Sequence, residues 1–146
     1  MGTPLKPRKE QVAKLYTSLR TLNTYLYPIV INFQKDILMT IGHRIINGTT
    51  DALLNFKTAY ETENLEQRFN NIKIFKRSID DIDLLCRMLF ELKYISSKQI
   101  SVIVRYIAEI MIQIESWSVS TSNKLKGSKK CHETMVDVQG CPNAKH

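Results

Sequence analysis

The stretch ISVIVRYIAEIMIQIESW, residues 100–117, decides the fold class. Within it Ile100, Ile103, Ile107, Ile110, Ile114 and Trp117 recur in steps of 3, 4, 3, 4 and 3. Residues three and four apart share one face of an α-helix, so the spacing predicts a helix with a continuous apolar stripe. Ser96 and Ser97 precede the stripe, and either can cap the helix start with its hydroxyl. The same period appears at the other end of the chain. Val12, Leu15, Leu19, Leu22, Leu26, Ile29 and Phe33 step 3, 4, 3, 4, 3 and 4, a heptad seam. Pro28 falls inside that seam; its ring and missing N–H predict a kink or a helix end nearby.

Between these two helices the pattern predicts two more. Residues 34–39 have no clear period and read as a connector. A second helix carries Ile41, Ile45, Ala52, Phe56 and Ala59, with Asn47-Gly48-Thr49-Thr50 as a weak point of low helix propensity. A polar loop at 61–64 leads into a third helix carrying Leu65, Phe69, Ile72, Ile79, Ile82, Cys86 and Leu89. Beyond Asn123 the period stops. Residues 1–126 therefore read as an all-α, antiparallel up-down four-helix bundle, and residues 127–146 as a mobile, polar, basic tail. Extra apolar positions widen the stripes: Ile46, Leu53 and Tyr60, Val104 and Met111, and Ile74, Leu85, Met88 and Leu92. Such width fits either a thick core or packing between copies, and the expectation here is an oligomer.

The net charge of +7 is carried by the two ends. Residues 1–20 hold Lys6, Arg8, Lys9, Lys14 and Arg20 against Glu10; residues 124–146 hold five lysines against Glu133 and Asp137; the middle is neutral. Up-down topology sets the start of the first helix and the end of the fourth at one pole, so the basic ends converge there. Glu61, Glu63 and Glu66 lie at the same pole and oppose their field. A basic pole concentrates polyanions and binds them with strong salt dependence. The expected nucleic-acid surface is Lys6, Arg8, Lys9, Lys14, Arg20, Lys124 and Lys126, contacting phosphates with little sequence specificity. Lys73, Lys76 and Arg77 extend it along the third helix.

Motifs for catalysis are missing. The chain has no glycine-rich phosphate loop, nucleophile elbow or zincin helix. Asp80, Asp81 and Asp83 are the densest acidic cluster, but Arg77 and Arg87 flank them, and Asp83–Arg87 is a favourable pair four residues apart. Cys131, His132, Cys141 and His146 do not have zinc-site spacing. A non-enzymatic protein without cofactor or metal is expected. Cys86 sits in an apolar stripe, the three cysteines suggest no disulfide framework, and no apolar run approaches the roughly 18 residues of a membrane span. A cytoplasmic protein with no membrane partner follows.

Several short motifs also resemble one family in order and spacing. Tyr27-Pro28-Ile29 followed by Thr40-Ile41-Gly42-His43-Arg44-Ile45 is similar to the helix 1–2 signature of the accessory variability determinant (Avd) family. Leu84-Leu85-Cys86-Arg87, Tyr94-Ile95-Ser96 and Glu109-Ile110 with Trp117 resemble its later landmarks, so the likeness covers roughly residues 10–125. Gln34 and Met111 depart from the pattern, and the tail has no counterpart in it. The resemblance implies a bacterial or phage-encoded accessory of a diversity-generating retroelement, assembled as a homopentameric barrel. It implies binding to the element's reverse transcriptase and to template-repeat RNA or cDNA, in support of mutagenic cDNA synthesis. Tyr27, Pro28, Gly42 and Trp117 are then structural signature positions, and Arg44 and Arg87 candidates for a partner or oligomer interface. Two alternatives stay open: a relative encoded in ribosomal-RNA intervening sequences, with no polymerase partner, and a purely structural oligomer.

Overall fold

The computed structural model describes the backbone of residues 5–138 and the side chains of residues 10–128. Helix α1 spans Leu5–Ile31. Helix α2 is a composite: a short entry, Lys35–Ile37, a π-helical turn, Leu38–Gly42, and a main run, His43–Glu61. Helix α3 spans Leu65–Glu91 and helix α4 Ser97–Val138. No strand occurs among the described residues.

Local chemistry sets the helix ends. Pro28 does not stop α1 at once; the helix runs three residues further, and the Asn32 amide donates to the Pro28 carbonyl at 2.7 Å. At the start of α3 the Asn64 side chain accepts from the Gln67 N–H at 3.0 Å. At α4 the cap is Ser96: its hydroxyl accepts from the Gln99 N–H at 3.1 Å, and the Gln99 side chain accepts from the Ser96 N–H at 2.9 Å. This reciprocal pair is a capping box. Helix α3 ends in a Schellman motif, with the Tyr94 N–H on the Leu89 carbonyl and the Lys93 N–H on Phe90. The motif needs a left-handed residue, and Lys93 takes that place at φ 68°.

The helices pack in a ring, each against its neighbours in sequence, with α1 closing on α4. Pairings across the interfaces show antiparallel runs. Gln113 donates to Ser18 at 2.9 Å and Tyr25 meets Tyr106 edge-on between α1 and α4. Asn55 donates to Ser78 at 2.7 Å between α2 and α3. The core takes Leu15, Leu19, Leu22, Leu26 and Val30 from α1, and Ile103, Ile107, Ile110, Ile114 and Trp117 from α4.

Three departures from the sequence reading have physical causes. Ile29 is only half-buried and Val30 takes its place in the core, because a straight helix drifts about 20° per heptad against a strict 3.5 period. The connector at 34–39 is largely helical from Lys35, and the π turn explains its missing period: one extra residue in the turn shifts the phase of the apolar positions. Helix α4 continues past Asn123 to Val138, into the segment read as a tail. Backbone hydrogen bonds propagate without an apolar face, and no proline interrupts before Pro142. Residues 139–146, including Cys141 and His146, lie outside the described residues, as do the side chains of Cys131 and His132.

Candidate nucleic-acid interface

The antiparallel register of α1 and α4 brings their charged ends to one pole. Lys14, Leu15, Gln113, Ser116 and Trp117 line a single pocket between the two helices, which places Lys14 level with the close of the α4 stripe. Continued outward, the same register sets Lys124 alongside the first turns of α1. Lys14, Arg20, Lys124 and Lys126 are all exposed. Neither ion pair among the described residues, Lys57–Glu61 at 3.9 Å and Arg87–Asp83 at 3.0 Å, involves any of them. Lys6, Arg8 and Lys9 belong to helical backbone at the start of α1, but their side chains lie outside the described residues. Glu61, Glu63 and Glu66 are exposed around the α2–α3 loop at this pole.

The pole is built on an aromatic cluster. Phe56 has Tyr16 stacked at 6.3 Å on one side, Tyr60 at 6.4 Å on another, Phe75 at 5.7 Å, and Trp117 edge-on at 6.1 Å. Buried Arg68 closes the adjoining loop, donating from Nε to the Thr62 carbonyl at 2.7 Å. Arg68 and Phe75 were both absent from the expected core; an arginine in a polar stretch gives no apolar signal, whereas Phe75, three residues after Ile72 and four before Ile79, fills the seven-residue gap in the stripe and was legible from that spacing. The Trp117 indole nitrogen and the Gln113 side-chain oxygen are buried without a hydrogen-bond partner.

The other candidate residues are scattered. Arg20 folds over Tyr16, with its guanidinium 3.2 Å from the phenol oxygen and 5.8 Å from the ring centre. Lys73 covers the Phe69 ring at 4.5 Å, and Lys76 and Arg77 are exposed on the same helix. Arg44 is exposed and lines a cleft between α2 and α3 with Asp51 and Asp81. Arg87 is engaged by Asp83, as its spacing predicts. Gly42 is buried where α1 meets the π turn; a Cβ there would lie 3.1 Å from the Val30 side chain and 3.2 Å from the Ile37 carbonyl. Trp117 is buried at the bundle end. Tyr27 is half-exposed near the end of α1, where the Asn32 amide bonds the Pro28 carbonyl. The buried Cys86 thiol is pushed up to about 12, first by desolvation and then by the Asp83 carboxylate, which makes it a packing residue rather than a nucleophile.

Comparison of the chain with protein-family models, curated proteins and solved structures gives no match. No described helix is long and apolar enough to cross a membrane.

Proposed function

We propose that this chain is a non-catalytic nucleic-acid-binding accessory of a diversity-generating retroelement, holding the reverse transcriptase and its template RNA on an oligomeric basic scaffold. The observation that carries the nucleic-acid part of the reading is the register that brings the start of α1 and the end of α4, with the exposed Lys14, Lys124 and Lys126, to one pole of an otherwise charge-balanced bundle, Arg20 lying exposed further along α1 and none of the four in an ion pair among the described residues; the retroelement part rests on the motif resemblance. Free cations at a shared pole bind phosphates through counterion release. The four-helix architecture and the close approach at Gly42 are compatible with the Avd resemblance.

A homopentamer is part of this proposal. Ile46, Leu53, Leu85 and Met111 pack against the core, so part of the wide apolar stripe is thick core. Ile74, Met88 and Leu92 are exposed along α3, together with Leu84 at 67% and Ile112 on α4 at 70%. That much exposed aliphatic surface is what subunit packing covers.

A search of the flanking genes for a reverse transcriptase, followed by co-expression with it, tests the reading, and finding no such gene counts against it. A complex of defined stoichiometry that retains RNA is the expected result. Salt-sensitive RNA binding without a polymerase partner would favour the intervening-sequence alternative. No RNA binding at low salt would leave only a structural oligomer.

A further inference from the structure

Resting on the nucleic-acid reading above, we infer that the outer face of α1 is a stacking platform for unpaired bases, formed by Tyr16, Arg20 and Tyr27. These residues and Asn23 recur in steps of 4, 3 and 4, which sets them in one stripe of the helix. The stripe is outside the core: Tyr16 is 44% exposed, Tyr27 50%, and Arg20 is exposed. Tyr16 is held in place from below by its stack on Phe56, which also carries the partly exposed Tyr60 (38%) at an interplanar angle of 8°. Arg20 donates to the Tyr16 hydroxyl at 3.2 Å while its guanidinium carbon stays 5.8 Å from the ring centre, so a fixed cation stands nearer the hydroxyl end of a fixed aromatic plane than its centre.

This pairing is what single-stranded nucleic acid recognises. A ring face stacks on any base, and a neighbouring guanidinium reaches the phosphate or stacks in turn. Tyr16 and Tyr27 are eleven residues apart, about 16 Å along the helix axis. At about 3.4 Å per nucleotide, that length accommodates about five stacked nucleotides. Duplex RNA hides its base faces and gains nothing from these rings. The basic pole supplies charge without base preference, and the platform adds selectivity for unpaired over paired strands.

The test compares three probes on the full chain: a single-stranded RNA oligonucleotide, the same ribose-phosphate backbone without bases, and inorganic polyphosphate. The variants are Tyr16→Leu, Tyr27→Leu and both together, with Tyr27→Phe retaining the ring. Loss of each ring should weaken RNA binding roughly tenfold. Binding of the abasic strand and of polyphosphate should not change, and Tyr27→Phe should bind RNA as wild type does. Wild-type affinity for RNA in the double variant overturns the platform. A changed oligomeric state in sedimentation, with RNA affinity intact, assigns the face to contacts between copies and likewise overturns it. If wild type binds neither RNA nor polyphosphate, the parent reading fails and takes the platform with it. Tyr27 is 50% exposed, so Tyr27→Leu alone carries the test if Tyr16→Leu disturbs folding.

Discussion

Replacing Lys14, Arg20, Lys124 and Lys126 together by glutamine should flatten the salt dependence of RNA binding while leaving the bundle folded. All four are exposed and outside the ion pairs, so stability should move by no more than about 0.5 kcal/mol per site. Each cation that neutralises a phosphate on a single strand contributes about −0.7 to the slope of log K against log salt, so these four account for about −2.8. With Lys6, Arg8 and Lys9 engaged as well, the wild-type slope is about −4.9. Raising salt from about 50 to about 200 mM should then weaken wild type roughly 900-fold and the variant only roughly 20-fold. Fluorescence anisotropy with a labelled RNA strand across that range measures both slopes, and circular dichroism confirms the helix content. A variant with the wild-type slope refutes the assignment of the basic pole as the phosphate-binding surface.

Three further outcomes follow from the packing. Lys93→Gly removes the left-handed penalty at the α3–α4 turn and should stabilise the protein by about 1 kcal/mol in urea titration; a loss of stability would contradict the role given to φ 68° there. Gly42→Ala forces a methyl group to within 3.1 Å of Val30 and 3.2 Å of a backbone carbonyl, and should cost about 1–3 kcal/mol; a neutral result would mean the α1–α2 crossing yields freely. Cys86 should resist thiol reagents at pH 8 in the native state and react once urea unfolds the chain. Because its folded pKa, about 12, lies above the ordinary 9.0, its stabilising contribution is complete below pH 9 and is lost as pH rises toward 12. Fast labelling of native protein at pH 8 would show that the thiol is not shielded by the core.

How much of this was legible in the sequence varies along the chain. The α4 stripe from Ile103 to Trp117 was readable in full because each position repeats one geometric rule, and all of it is buried. A serine cap at 96 or 97 was legible for the same reason, since capping is local, and the structure selects Ser96. The α2 entry was not, because a π turn changes the residue count per turn without changing composition. Arg68 was invisible because its reason for burial, the Thr62 carbonyl, is created by a loop that exists only after α2 and α3 have docked. The two helix ends could be placed at one pole from topology alone, with Arg20 left midway along α1. The aromatic stripe beside Arg20 could not, since an exposed tyrosine and a core tyrosine look alike until the helix is rotated into its place: Tyr25 is partly buried against Tyr106, whereas Tyr27, two residues on, is 50% exposed.

The π turn at Leu38–Gly42 also has an evolutionary corollary. It acts as a one-residue spacer that fixes the rotational phase between the arm leaving α1 and the body of α2. Deleting a single residue there would restore ordinary α geometry and swing Ile37 and Leu38 by about 100° around the axis, away from the core they now cover. Drift at this junction is therefore constrained in length as well as in residue type, and relatives of this chain that share the bundle should keep the spacing between Pro28 and Gly42 even where the intervening side chains change.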